Sequence, residues 1–331
     1  MKYFLKETYV KANHAGPKAR MDAEAIMVDV GFKEYYLSES RKNSILNKDD
    51  IIVLQFPLLW KSLKKQIRMR FLKKKNFKAY LLIHDIESLR NNKIRTFSDF
   101  KHSIIHFLQN KTVLEKVDGI IAHNDKMKAE LVRLGIPEDK VVSLEIFDYV
   151  IPHYVEKTTY EKNTVIVAGN FDIRKTKYAR QLPESPEFSI YGINFEEEHL
   201  PKNVHYKGAF SPDELPHHLQ GGFGLVWDGD SPHTCSGMYG EYLKMNNPHK
   251  ASLYLASGFP MIVWSQSALA DFVRQNQCGI IVDSLFEISE SLDSLSEEDY
   301  QELIKNSKKI GEKIRNGYFL KTALEKCERN L

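Results

Sequence analysis

The sequence predicts an α/β protein of two doubly wound, Rossmann-like domains, and three observations predict it. Short apolar runs alternate with helical patterns along nearly the whole chain, the mark of parallel strands joined by crossover helices. That alternation lapses between Asp148 and Lys162 into a Pro- and Tyr-bearing connection, where a linker belongs. With 331 residues the chain is long enough for two cores of ordinary size. The domains expected are 1–155 and 156–331, the last helix reaching back to brace the first.

Composition narrows the function classes. Apolar residues make up 42% and charged residues 27% of the chain, the balance of a soluble globular protein. A net charge of +3 is too small for a dedicated nucleic-acid binder. Cys235, Cys278 and Cys327 are scattered, without a CxxC or His/Cys spacing, so neither a disulfide framework nor a zinc site is expected. No apolar run approaches the length of a membrane span, and Met1-Lys2 leads straight into a short strand. A cytoplasmic protein with reduced thiols is expected.

In the N-terminal half, a strand at Tyr3–Leu5 is followed by a small, basic loop and a helix over 17–30 that ends at Gly31. Gly16 would let the backbone approach a ligand, with Lys18 and Arg20 in the first turn; a Gly-Pro turn is equally ordinary punctuation. Ile51–Phe56 reads as a second strand with Gln55 at its exit. The stretch from Trp60 to Lys78 is basic and without acids, and carries Trp60, Leu63, Ile67 and Phe71 at helical spacing. It suits either a solvated surface helix or a patch resting on anionic lipid headgroups. Ala79–Ile83, a third strand, delivers His84, Asp85 and Glu87 to its carboxyl end, where open sheets hold ligands. A carboxylate there, Asp85 or Glu87, can act as general base or merely cap a helix, with His84 beside it as a candidate positioning residue. Strands at 117–122 and 141–146 flank a helix capped by Asn124.

The second half starts with a strand at Thr164–Ala168. Gly169-Asn170 at its exit, followed by Arg174, Lys175 and Lys177, suits a phosphate, because an arginine can place two hydrogen bonds on it; a surface charge cluster would look the same. Strands at 188–191 and 204–206 precede Phe210 and a helix start at Ser211–Glu214. Phe223–Trp227 is a buried run ending on Asp228 and Asp230. After a polar, Gly-bearing loop, Asn246-Asn247-Pro248-His249-Lys250 opens a helix that stops at Gly258. Asn is a good N-cap and Pro suits the first helical position. Free N–H groups of that turn, among Asn247–Leu253 (Ala251, Ser252 and Leu253 included), with Lys250 and His249 beside them, suit a diphosphate, although most capped helices of α/β proteins bind nothing. Met261–Trp264 and Cys278–Val282 complete the sheet, and charged helix follows.

GGFGLVWDGD, EYLKMNNPHK and LYLASGFPMIVW, followed by ALADFV and CGIIV, resemble the C-terminal half of bacterial β-galactofuranosyltransferases. They are less closely similar to the glucosyltransferases that extend O-linked GlcNAc on serine-rich-repeat adhesins. The resemblance implies the GT-B architecture, two such domains facing a cleft, and transfer of a sugar from a UDP-sugar to an acceptor hydroxyl. The nearer likeness implies UDP-galactofuranose as donor and inversion with Asp85 as base. It also implies that Gly16 leans toward the donor, that Phe210 lies against the nucleotide base, and that Gly169, Asn170 and Arg174 hold the nucleotide with Pro248, His249 and Lys250. Trp227, Asp228 and Asp230 are read as contacts to the sugar, although Asp228 and Asp230 also form a pair that suits a divalent metal.

No cofactor and no metal is expected beyond the donor. The partners expected are the UDP-sugar, a glycan or glycolipid acceptor, the inner face of the plasma membrane through 60–78, and a second copy of the chain in a homo-oligomer. Nucleic acid is not among them. Two other readings compete: glucose addition to GlcNAc on an adhesin, and a non-catalytic scaffold that keeps the fold with a ruined nucleotide site.

Overall fold

The structure is a computed structural model, described over residues 1–7, 15–36, 46–58, 76–86, 112–196 and 200–330. Among the described residues no helix is long and apolar enough to cross a membrane. The stretch 60–78 lies almost wholly outside them, as does Glu87.

The chain divides into two compact units, one formed by 1–10, 20–145 and 319–331 and the other by 11–19 and 146–318. The break after Glu145 comes before the expected 155, and the C-terminal residues from Phe319 belong to the first unit. Among the described residues, each unit is built on its own parallel sheet of six strands.

The first unit holds β1 (Lys2–Leu5), β2 (Lys33–Tyr35), β3 (Ile51–Phe56), β4 (Lys78–Ile83), β5 (Gly119–Ala122) and β6 (Val141–Ser143), in the order β2-β1-β3-β4-β5-β6. Helix α1 (Ala15–Asp29) leads from β1 to β2. The central strands are apolar throughout, as strands covered on both faces must be; Ile52, Val53, Ala79, Tyr80, Leu81, Ile120 and Ile121 are all fully buried. Helix α2 (Asp125–Arg133) has Asn124 as its N-cap, the side chain accepting from Met127 N–H at 2.9 Å.

In the second unit the strands are β7 (Thr164–Asn170), β8 (Glu187–Ile193), β9 (Val204–Tyr206), β10 (Phe223–Val226), β11 (Met261–Trp264) and β12 (Gly279–Val282). They are ordered β12-β11-β10-β7-β8-β9. Between them run α3 (Ile173–Thr176), α4 (Leu215–His218), α5 (Gly237–Tyr242), α6 (His249–Ala256) and α7 (Leu269–Asn276). Helices α8 (Ile288–Ser294) and α9 (Glu297–Arg315) follow, and α10 (Tyr318–Arg329) ends the chain. A core cluster of this unit includes Val165, Phe188, Phe223, Leu225, Trp227, Trp264 and Tyr300.

Glycine sets two close approaches in this unit. A Cβ at Gly224 would lie 2.1 Å from the Tyr254 ring, and one at Gly192 (φ 148°) only 1.7 Å from Gly169 O. The first lets α6 pack down on β10. The second lets β7 and β8 run side by side to their carboxyl ends.

Candidate functional site

In sheet order β12-β11-β10-β7-β8-β9, the chain winds outward from β7 through β8 and β9, then reverses by adding β10 on the other flank of β7. The crevice outside the carboxyl ends of β7 and β10 is therefore a topological switch point, where open α/β sheets bind ligands. Three pieces of backbone meet there: the exit of β7 with α3, the exit of β10, and the start of α6.

Gly169 and Asn170 end β7 and are exposed. Gly169 (φ 154°) has nothing within 4 Å of where a Cβ would stand. The Asn170 side chain accepts from Asp172 N–H at 3.1 Å and from Asn194 Nδ2 at 2.8 Å, which pins the exits of β7 and β8 together. Asp172 caps α3 by accepting from Arg174 N–H at 3.0 Å. Arg174 is not turned inward. Its Nε and Nη2 lie 3.0 and 2.5 Å from the same Asp172 carboxylate, and its side chain is 78% exposed. That clasp holds Asp172 down to about 2, first through the Arg174 side-chain hydrogen bonds. Where the sequence reading sets Arg174 against the nucleotide, its guanidinium fork is here engaged by a carboxylate two residues away. The next residue faces the switch point instead: Lys175 Nζ is 3.8 Å from Asp228 Oδ2.

At the exit of β10, Trp227 is fully buried and donates its indole N–H to Ser231 O at 3.0 Å. The indole, read from the sequence as a sugar contact, anchors the loop from within the core. Asp228 is also buried, 4% exposed. Its Oδ1 accepts from Lys250 Nζ at 2.8 Å, and the same ammonium donates to Trp227 O at 2.8 Å. Asp228 is thus the counter-ion of Lys250 rather than an open ligand for sugar hydroxyls. Asp230 is the exposed residue of the three, its carboxylate against the α-carbon of Gly237 (φ 77°). Helix α5, read as loop from the sequence, starts at that glycine.

Helix α6 begins one residue later than expected. Pro248, in extended conformation (φ −67, ψ 140), is the N-cap, and no side chain caps the turn. Asn247 is buried at 2% exposure and is not the cap. The Ala251 N–H turns back to Pro248 O at 2.9 Å, which leaves the backbone N–H groups of His249 and Lys250 for an outside acceptor. Ala251, Ser252 and Leu253 are buried and hold the helix in the core. His249 stacks on Tyr149 at 4.9 Å and lies 3.3 Å through Nε2 from Asp148 O. Burial pushes it down to about 4, so at neutral pH it adds no positive charge to the turn. Burial likewise lowers Lys250, with Asp228 opposing that shift.

Phe210 is half-buried, and its ring stacks on His218 with centroids 3.8 Å apart and 12° between planes. Ser211 and Glu214 bond each other reciprocally, as a capping box does. In the first helix, Gly16 lies within α1, while Lys18 pairs with Asp213 at 2.7 Å and Arg20 with Glu7 at 2.5 Å. Both cations are buried and paired with carboxylates, and the loop before them, 8–14, lies outside the described residues.

The first unit gathers its own polar groups at the carboxyl ends of β3 and β4. His84 Nε2 is 2.7 Å from Oε1 of buried Gln55, whose Nε2 donates to Arg20 O at 3.4 Å. Asp85 follows, half-buried. Among the described residues no group of three or more His, Cys, Asp or Glu side chains is placed to hold a metal ion. The three cysteines are free and buried, and burial pushes Cys278 and Cys327 up to about 12.

Residues 2–146 match the family model described as Glucosyltransferase 3-like, N-terminal domain, and residues 165–327 match Glucosyltransferase 3-like, C-terminal domain. The chain is 34% identical to the β-1,6-galactofuranosyltransferase WbbI of Escherichia coli K12, over 98% of this chain and 97% of that one. It is 29% identical to Glucosyltransferase 3 of Streptococcus gordonii over 62% of this chain and 60% of that one. Among solved structures, HepE of Anabaena in complex with UDP superposes with a TM-score of 0.60 over 100% of both chains at 10% identity. WaaG, a glycosyltransferase of lipopolysaccharide biosynthesis, superposes with 0.58 over 98% of both at 10% identity. With this fold, this switch-point crevice and these relatives, the chain belongs to the Glucosyltransferase 3-like family and is a glycosyltransferase of the GT-B type.

Proposed function

We propose that this glycosyltransferase moves galactofuranose from UDP-galactofuranose to a hydroxyl of a cell-surface glycan or glycolipid precursor, on the cytoplasmic side of the membrane, with inversion and without a metal ion. The observation that carries the donor assignment is the 34% identity, end to end, with an enzyme named as a β-1,6-galactofuranosyltransferase. HepE, a structural neighbour, has been solved with UDP and with UDP-glucose, which supports a uridine-diphosphate leaving group here. The turn at Pro248 offers two backbone N–H groups and the Lys250 ammonium. Donors fixed in advance where negative charge develops stabilise a departing diphosphate without reorganising. Asp85, at the exit of β4 in the first unit, is the proposed base that takes the acceptor proton.

A second reading, glucose transfer, is favoured by the family model's description and by the two streptococcal relatives named Glucosyltransferase 3, at 29% and 26% identity. UDP release from UDP-galactofuranose and from UDP-glucose, measured separately on the purified chain, distinguishes them. Faster release from the galactofuranose donor is expected, unchanged by EDTA, with Asp85→Asn retaining UDP affinity and losing turnover. Preference for UDP-glucose would reverse the donor assignment. A strict requirement for magnesium or manganese would remove the metal-free mechanism.

A further inference from the structure

We propose that Asp228 is the positioning residue of the donor site, holding Lys250 at the first turn of α6 and drawing in Lys175 from α3, so that two lysines rather than Arg174 face the diphosphate. This rests on the reading that a nucleotide sugar lodges at that turn.

The geometry divides the basic residues of the second unit into two sets. Arg174 and Asp172 form a pair closed on itself: both edges of the fork meet one carboxylate, in solvent, within a single turn. Such a guanidinium must give up an ion pair before it can take a phosphate. Asp228 does the opposite with its two lysines. Oδ1 accepts from Lys250 at 2.8 Å while Oδ2 stands 3.8 Å from Lys175. One carboxylate shared by two ammonium groups leaves a net positive charge of one at the switch point, next to the open N–H groups of His249 and Lys250. Two of the three Lys250 protons are committed, to Asp228 and to Trp227 O. The third remains for an anion.

The surroundings make Asp228 the source of that charge. The Lys250 side chain is 10% exposed, and burial of an ammonium favours its neutral form. The titratable groups that bear on it are Asp228 at the exit of β10, Lys175 on α3 and Cys235 in the loop before α5. Tyr178 and Tyr254 in turn bear on Asp228, and Glu241 on Cys235. Burial pushes Tyr178 and Cys235 well above their ordinary values, so neither is an anion at neutral pH. Asp228 is the carboxylate in contact with Lys250, and its charge keeps the lysine protonated and aimed.

UDP titrated calorimetrically into the full chain across pH 6 to 9 tests this. For Asp228→Asn, about tenfold weaker binding is expected at pH 8.5, with recovery toward pH 6. The alkaline limb of binding should lie about one pH unit below that of the parent protein, as loss of a close opposite charge requires. Lys175→Met should weaken UDP binding about fivefold, and Arg174→Ala by less than twofold, at the roughly 1.4 kcal/mol per tenfold of an equilibrium constant. Wild-type affinity and an unmoved alkaline limb in Asp228→Asn, or a larger loss from Arg174→Ala than from Lys175→Met, would overturn the assignment. If Asp228→Asn fails to fold, the comparison of the two α3 variants decides, since neither Arg174 nor Lys175 is buried. Failure of the parent chain itself to bind UDP would instead remove the nucleotide reading of the site.

Discussion

The hydroxyl of Tyr254, in the middle of α6, accepts a hydrogen bond from the backbone N–H of Ala168, 2.8 Å away in the last turn of the ladder before Gly169. One buried contact therefore fixes the helix that offers its N-terminus to the strand exit facing it. Tyr254 fits because residue 224 is glycine. Replacing Tyr254 by Phe leaves the ring in place and the Ala168 N–H buried without an acceptor, a loss of about 1–3 kcal/mol. The expected outcome is a fall of several degrees in Tm, with a weaker affinity for UDP than the stability loss alone would give, since the helix start and β7 exit are no longer tied. Thermal melts with and without UDP check it. Equal ligand-induced shifts in parent and variant would mean that the bond serves packing alone.

Acid should destabilise the protein earlier than its carboxylates would. His123 in the first unit and His249 in the second are both pushed down to about 4 by burial, against backbone hydrogen bonds that favour the charged form. In the unfolded chain they titrate near 6.5. Between those values the unfolded state binds protons that the folded state refuses, so stability falls as pH falls. The histidine contribution is therefore fully present above about pH 6.5 and is progressively lost toward 4. Asp172, held near 2 by Arg174, loses its share only below its unfolded value of about 3.9. Urea midpoints at pH 7.5, 6.5, 5.5 and 5.0 should therefore fall steadily while carboxylates stay ionised. A flat profile over that window would contradict the neutral, buried state of both imidazoles.

The framework was legible because burial on both faces leaves an unambiguous trace: the runs at 51–56 and 261–264 are strands over those same residues. Other elements left no such trace. Strand β2, Lys33-Glu34-Tyr35, sits at a sheet edge with its charged residues exposed, so no apolar run marks it. Helix α5 has glycines at 237 and 240, residues that disfavour helix by about 1 kcal/mol each. Gly240 is there because a Cβ would meet the Cys235 backbone at 2.5 Å. In the candidate site the strand exits could be read from sequence, but the side-chain directions could not. Helix α3 has four residues, too few for periodicity to say whether Arg174 or Lys175 faces inward. Nothing local marks Asp228 as the partner of a lysine 22 positions away. That pairing follows only from the packing of α6 onto β10.

The run Trp227-Asp228-Gly229-Asp230 separates into three roles that mutation can tell apart. Trp227 is core and Asp228 is the Lys250 counter-ion, whereas Asp230 is exposed and faces Gly237. Gly229 holds the turn between them: its N–H donates to Lys175 O at 2.7 Å and its O accepts from Tyr178 N–H, which ties the loop to α3. Trp227→Phe removes the hydrogen bond to Ser231 O and some buried area. It should cost about 1–3 kcal/mol of stability with little change in KM for the donor once folded protein is compared. Asp230→Ala should leave the Tm within a degree or two, because an exposed side chain is removed. If Asp230 contacts the transferred sugar, that variant loses about tenfold in kcat/KM for the nucleotide sugar while its affinity for UDP alone is unchanged, since UDP lacks the hexose. Parallel loss of UDP affinity would place Asp230 at the diphosphate instead, and unchanged kinetics would remove it from the site.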